Sequence, residues 1–274
     1  ARLGKTHQVT SLGLIDNWDN LTSKTVFWAR PDFLGVWGEQ SVQHAVSIHG
    51  FQADRVFPVG TPRFDVYFED PIPDEECVNF EAYDFPYVLF VGSAMPFEEE
   101  AALLRLDGAL STPEFLESGL KIVYRPHPWR QKNPKNMLNQ MDSLKNTVLD
   151  FQSRASLQEY PEGDSGGKFQ PALNYYPALL RSAQAVVGPM TTMLLEASLC
   201  GARVLALAYD DGINTHTSRR YFLHFEGTEQ ILGFSFCHSE GEIGAHITNM
   251  LSQKPLNRAN AIASTSHFVH QPVP

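Results

Sequence analysis

Residues 185–201 read AVVGPMTTMLLEASLCG, and this stretch decides the fold. Residues 185–187 are a short apolar run of strand type, and Gly188 permits a sharp exit from it. Pro189 suits a first helical turn, because it lacks only an N–H that would be unpaired there anyway. A helix is expected over about residues 191–200, followed by a strand over 203–208. Strand, glycine turn, helix and strand in that order make a βα unit of a parallel sheet. Thr191 and Thr192 fall in the first helical turn, where free backbone N–H groups and the helix dipole attract anions. Glu196 lies four residues after Thr192, on the same helix face and one turn further in. No threonine at an evident N-cap stands three residues before it, so a capping box explains it poorly. A carboxylate so placed can accept hydrogen bonds from a ribose diol. The plainer alternatives are ordinary capping by the threonines and a solvated helix position for Glu196.

The alternation of apolar runs with helix-length amphipathic stretches extends in both directions. Strands are expected over residues 87–91, 120–124 and 147–149, with helices at about 96–107, 134–141 and 171–182. Downstream, YFLHF, ILGFSF and a helix at about 240–252 are expected to complete the sheet edge. With 185–187 and 203–208 this gives five strands and a doubly wound, parallel-sheet Rossmann-like domain over residues 87–274. Residues 67–86, containing EDPIPDEECVNFEAYDFP, are rich in acid and proline and poor in periodicity, as a linker is. Residues 1–66 hold candidate strands at 9–15, 33–37 and 55–59, a polar loop DNWDNLTSK and a helix at about 39–48. That is about two βα units, fewer than a freestanding Rossmann-like domain uses, so this part is expected to be the remnant of a second such domain. The chain opens without Met and closes on HFVHQPVP, and is expected to be a segment of a longer protein.

The 274 residues carry a formal net charge of −10, so no general basic field exists to hold a nucleic acid or an anionic membrane. Any phosphate site must be local. The three cysteines, Cys77, Cys200 and Cys237, form no CxxC pair, which points away from a disulfide framework and towards a reducing, cytoplasmic setting. No apolar run reaches the roughly 18–20 residues of a membrane span. Attachment to the inner face of a membrane through a lipid or a partner is compatible with this. The ten histidines show no HExxH-type spacing, and no GxGxxG or Walker-type loop occurs, so neither a bound metal nor a cofactor is expected.

Ligands of open parallel sheets sit beyond the carboxyl ends of the strands. Four segments there are expected to share one crevice: VGSAMPFEEE, YRPHPWR, GPMTTMLLE and YDDG. In RPHP, Arg125 and His127 each precede a proline and are driven to extended geometry, which sends both side chains to the same side. Arginine offers a planar fork for phosphate, histidine a further donor, and Arg130 can extend the clamp. The alternative is that His127 caps a helix and the prolines merely end a strand. Ser93 is a further phosphate candidate, or else a helix N-cap. Asp210 and Asp211, before Gly212, suit sugar hydroxyls, or else an acidic turn.

Glu196 followed five positions later by Gly201, after a strand ending at Gly188, resembles the donor-nucleotide helix of GT-B glycosyltransferases. RPHP together with Thr191 and Thr192 is similar to the His-Pro and Ser motifs of the capsule-polymer branch. That branch includes bacterial polysialyltransferases, capsule Kdo transferases and CDP-glycerol glycerophosphotransferases of teichoic acid synthesis. The resemblance spans roughly residues 87–252 in the order of elements, through short motifs. It implies that His127 and Thr191 or Thr192 contact donor phosphate, that Glu196 holds the ribose, and that residues 1–66 belong to the acceptor side. The branch usually carries an acidic pair followed by glycine as its catalytic base; here the comparable strand end reads IDNWDN, without the glycine. Asp16 and Asp19 are the candidates for the base, with turn or cap carboxylates as the alternative. GVWGEQ and VGTPRFD resemble the last βα units of a GT-B first domain running into the interdomain cleft, or are plain turns.

The expected activity is transfer of a sugar or an alcohol phosphate from a nucleotide-sugar or CDP-alcohol donor to a glycan or polymer acceptor at the cell surface. His127 and its neighbours would stabilise charge on the departing nucleotide without a metal. Two other readings stand beside it: a UDP-N-acetylglucosamine 2-epimerase-like enzyme, and a catalytically silent nucleotide-sugar-binding module.

Overall fold

The computed structural model describes residues 1–68, 83–128, 141, 143–159, 174–212 and 222–271. Two separate parallel sheets are present, one of three strands and one of six. The first unit runs α1 (Arg2–His7), β1 (Leu12–Leu14), a π-helical turn (Asn20–Lys24), β2 (Phe33–Val36), α2 (Glu39–Ser47), β3 (Val56–Pro58) and α3 (Asp65–Phe68). Its strands lie in the order β1-β2-β3. Leu34 and Val36 of β2 and Val56 of β3 pack with Ala45 of α2 and with Leu21 and Phe51 on one face. On the sheet, Leu12, Leu14, Phe57 and Val59 remain exposed. Parallel sheets are ordinarily covered on both faces, so this unit buries only half of what its strands offer.

The second unit comprises β4 (Tyr87–Val91), α4 (Glu99–Ala109), α5 (Pro113–Glu117), β5 (Lys121–Arg125), β6 (Thr147–Leu149), α6 (Phe151–Glu159), α7 (Tyr175–Ser182), β7 (Ala185–Pro189), α8 (Thr192–Leu199), β8 (Val204–Leu207), β9 (Phe234–Cys237), α9 (Ile243–Ser252) and α10 (Arg258–Ala263). The strand order is β6-β5-β4-β7-β8-β9, all parallel. Order reverses between β4 and β7, the switch point at which doubly wound sheets open a crevice. The YVLFV of β4 is buried at every position. Leu89 and Val91 pack with Leu179, Leu194 and Leu195 of α7 and α8, while Val88 and Phe90 pack with Leu106 of α4 and Ile247 of α9. Alternation across a strand thus serves two apolar layers, which is why the run is continuous rather than alternating.

The expected strands are present within a few residues of their expected bounds, and GFSF supplies a sixth, β9. The stretch expected as a polar loop after β1 carries two buried side chains, Trp18 and Leu21. Trp18 packs against Phe225 and Phe268 of the second unit, and Trp37, Phe64 and Tyr67 join the same core. The end of the chain crosses back. Gln40 donates its N–H to the His267 carbonyl at 3.0 Å, and His270 donates to the Trp37 carbonyl at 2.6 Å. Residues 267–270, expected in the donor domain of 87–274, therefore pack on the first unit. The glycines of GVWGEQ and VGTPRFD make room for them. A Cβ on Gly38 would stand 2.5 Å from the Phe268 carbonyl, and one on Gly60, which has φ +71°, would stand 2.6 Å from the His270 oxygen. Most of the expected linker 67–86, the expected helix 134–141 apart from Met141, and Arg130 lie outside the described residues. Among the described residues no helix is long and apolar enough to cross a membrane.

Candidate functional site

Three neighbouring strands, β5, β4 and β7, end at the switch point, and two glycines let them close up. A Cβ on Gly188 would meet the Val91 carbonyl oxygen at 2.3 Å, and one on Gly92 would meet the His127 nitrogen at 2.8 Å and Glu99 at 2.7 Å. The Gly92 N–H donates to the Arg125 carbonyl at 2.7 Å, extending the ladder one residue past β4. The loop after β5 is therefore drawn onto the end of β4. His127 is half-buried there. β5 and β7 stand two strand spacings apart, about 10 Å.

On the β7 side, Thr191 is the N-cap residue of α8, with extended backbone at φ −138° and ψ 152°. Its side chain makes no capping hydrogen bond, so ordinary capping is not its role here. Thr191 and Thr192 are half-buried. The first intrahelical N–H is that of Leu194, donated to the Thr191 carbonyl at 3.0 Å, which leaves the preceding amides at the helix mouth without a helical partner.

Arg125 differs from the exposed fork expected of it. As the last residue of β5 it points into the helix layer and is 9% exposed. Its guanidinium donates to the Tyr176 hydroxyl at 3.0 Å and lies over that ring. Burial alone would lower its pKa, but Tyr176, Asp150 and Glu196 outweigh it, and the group stays above its ordinary value. Beyond it, Asp150 is buried and accepts from Tyr83 at 3.2 Å, from the Ser153 N–H at 3.0 Å and from the Tyr175 hydroxyl. Ser93 is also buried. Its N–H donates to Glu99 at 2.9 Å, its hydroxyl accepts from the Met95 N–H at 3.1 Å, and Tyr124 donates to the same Glu99 at 2.7 Å. The Ser93 N–H is thus committed to Glu99, and the N-cap position of the helix after it is Glu98, not Ser93.

Glu196 is buried, 7% exposed, rather than solvated. It accepts from the Tyr67 hydroxyl at 2.5 Å and lies 3.6 Å from the Arg63 guanidinium. Arg63 also reaches Asn17 at 3.4 Å, so the loop after β1 and α8 are joined through one arginine. Asp16 sits in that loop, exposed, with Asn17 donating to it at 3.4 Å. Asp19 is paired with Lys24 at 2.6 Å, at the start of the π-helical turn, which matches its expected alternative as a turn carboxylate. At the end of β8, exposed Asp210 accepts from the Gly212 N–H at 2.9 Å, in a turn with Gly212 at φ +74°. Asp211 accepts from the Glu98 N–H at 3.0 Å and so ties this loop to the start of α4.

Sequence reasoning passed over Arg63, Tyr67, Tyr176 and Asp150. Arg63 was within reach, since it lies in VGTPRFD, whose run into the cleft was expected. The tyrosines gave no local signal, because each matters only through a partner more than 50 residues away or on another helix.

No family model and no curated protein matches the sequence. Solved structures do. The UDP-GlcNAc 2-epimerase of Methanocaldococcus jannaschii, in complex with UDP-GlcNAc and UDP, is 13% identical with a TM-score of 0.52, over 85% of this chain and 59% of its own. The wall teichoic acid polymerase TagF is 14% identical with a TM-score of 0.52, over 87% of this chain and 54% of its own. Anabaena HepE, in complex with UDP and glucose, is 12% identical with a TM-score of 0.51, over 97% of this chain and 69% of its own. The chain thus spans little more than half the length of the epimerase and of the polymerase. At such identities the likeness is one of fold: two parallel α/β units, a six-stranded Rossmann-like one and a smaller three-stranded one, consistent with the GT-B fold.

Proposed function

We propose that the chain is the donor-binding part of a nucleotide-sugar-dependent transferase, which builds a cell-surface polysaccharide or related polymer from the cytoplasmic side. The observation that carries this reading is the crevice at the switch point. There the RPHP loop on β5 faces, across the end of β4, an uncapped helix mouth at Thr191. A pyrophosphate with hydrogen bonds of roughly 3 Å at each end bridges a gap of that size, whereas a single phosphate does not. His127 takes one phosphate. Thr191, Thr192 and the first amides of α8 take the other, with the helix dipole behind them. Arg125, buried beneath, contributes positive potential rather than a direct fork. Charge developing on the departing nucleotide is met by these groups without a metal.

Glu196 stands one turn inside α8, about the reach of a ribose from its phosphates, with Tyr67 holding one oxygen. Asp210 is the nearer of the two β8 carboxylates to solvent and suits a sugar hydroxyl. Asp16, exposed in the loop that Arg63 links to Glu196, is favoured over the paired Asp19 as the base for the acceptor. A second reading, epimerisation of a nucleotide sugar, is supported by the equal likeness to the epimerase fold. A thermal-shift panel of CMP, CDP, UDP and GDP tests the common core of both, since a ligand that binds only the folded chain raises its melting temperature by mass action. No shift with any of them sinks the proposal, and product analysis with the stabilising nucleotide's sugar separates transfer from epimerisation.

A further inference from the structure

On the far edge of the six-stranded sheet, three side chains with metal-ligand chemistry converge. Cys237 is the last residue of β9, Glu242 is the N-cap of α9, and His246 stands four residues later on the same helix face. The Cys237 sulfur, a Glu242 oxygen and a His246 ring nitrogen all lie within 4.8 Å of one another. Zinc bonds of about 2.3 Å to sulfur and 2.0–2.2 Å to nitrogen or oxygen place tetrahedral ligand atoms roughly 3.3–3.8 Å apart, so modest side-chain rotation closes the set. The thiol is buried, the imidazole half-buried and the carboxylate exposed, which leaves one side open for a water as fourth ligand.

The surroundings select these three. The loop's other acid, Glu240, is paired with Arg105 at 2.7 Å, and His238 is stacked on Phe236. Among the described residues Glu242 makes no ion pair. The thiol donates to the Ser239 carbonyl at 3.0 Å, which aims the sulfur into the turn that joins β9 to α9. We propose that Cys237, Glu242 and His246 bind a zinc ion that pins the end of edge strand β9 to the first turn of α9. Thiolate with imidazole and one carboxylate is a borderline-soft donor set, suited to zinc rather than to magnesium or calcium. The strand order keeps the site beyond β8 from the switch-point crevice, so its role is to secure the sheet edge, independent of the nucleotide reading. The histidine spacing gave no hint of it, because the first ligand comes from a strand and the other two from a helix.

The test is cobalt titration of the whole chain after treatment with a chelator, followed by absorption spectroscopy. One equivalent should bind with a thiolate-to-cobalt charge-transfer band in the near ultraviolet, and zinc should displace it. Cys237→Ala should abolish the band, and His246→Gln should weaken cobalt binding by more than about tenfold. Absence of the band in the wild type, or its survival in Cys237→Ala, overturns the proposal. Should Cys237→Ala fail to fold, His246→Gln and Glu242→Gln decide, and unchanged cobalt affinity in both overturns it.

Discussion

The Tyr67 hydroxyl donates a 2.5 Å hydrogen bond to Glu196, joining the short helix that ends the first unit to the helix at the switch point of the second. Burial first, then the Glu196 carboxylate, holds the phenol well above its ordinary pKa, so it remains a donor at any physiological pH. Removing that donor leaves a buried carboxylate under-satisfied. Tyr67→Phe should therefore cost about 1–3 kcal/mol of stability, read from urea midpoints. A cost near zero would mean that Arg63 alone suffices.

Glu196 should also select for ribose. Its replacement by Ala should weaken nucleotide binding by roughly 1.5–3 kcal/mol, the range for hydrogen bonds to a charged group. Equal affinity of the wild-type chain for ribo- and 2′,3′-dideoxynucleotides, measured by calorimetry, would remove this role.

His127→Ala should weaken binding of nucleoside diphosphates while leaving the far-ultraviolet circular dichroism unchanged, since the residue is half-buried on the loop after β5. The loss should be larger for a diphosphate than for the corresponding nucleoside. An equal loss for both would place His127 away from the phosphates.

Two glycine substitutions should move stability in opposite directions. Gly188→Ala drives a Cβ to 2.3 Å from the Val91 carbonyl oxygen, where only backbone displacement relieves it. It should destabilise by about 2–3 kcal/mol or more. A Cβ on Gly108, inside α4, meets nothing within 4 Å, and Gly108→Ala should stabilise by about 0.5–1 kcal/mol through helix propensity. Denaturation midpoints of the two variants check both signs.

His224 is buried between the units, with its Nδ1 3.0 Å from the Thr22 hydroxyl and its ring against Trp18. Burial pushes its pKa down to about 4, against the opposing pull of Asp19 and with help from His44 and Lys24. Its ordinary value is about 6.5. Above that value both folded and unfolded chains carry it neutral, and its contribution to stability is fully present. As pH falls from about 6.5 towards 4 the unfolded chain takes up the proton first, and stability is lost. Between about pH 7 and about pH 4.5 this one group should remove roughly 2–3 kcal/mol. His224→Phe should lose correspondingly less over the same interval, and an identical decline in both proteins would assign the effect to other groups.

The sequence alone determined the strands and most helices of the second unit, and their doubly wound class, because these depend on local signals. A short, unbroken run rich in β-branched and aromatic residues, such as YVLFV, or AVV closed by Gly-Pro, reads as a strand covered on both faces, and Gly-Pro before a threonine pair marks a helix start. It also brought Arg125, His127, Thr191 and Glu196 to one edge of the sheet, since the carboxyl ends of parallel strands lie together whatever the side chains do. What only the tertiary structure decided was how those groups are spent. Glu196 is taken up by Tyr67 and Arg63, Arg125 by Tyr176, Ser93 by Glu99, and the tail at 267–270 returns to Trp37 and Gln40. All but the Ser93–Glu99 pair, which is six residues apart, join groups more than 50 residues apart in the chain. Hydrophobic periodicity reports which face of an element is buried, but a hydrogen bond needs two groups within about 3 Å, and that is set by the packing of whole layers.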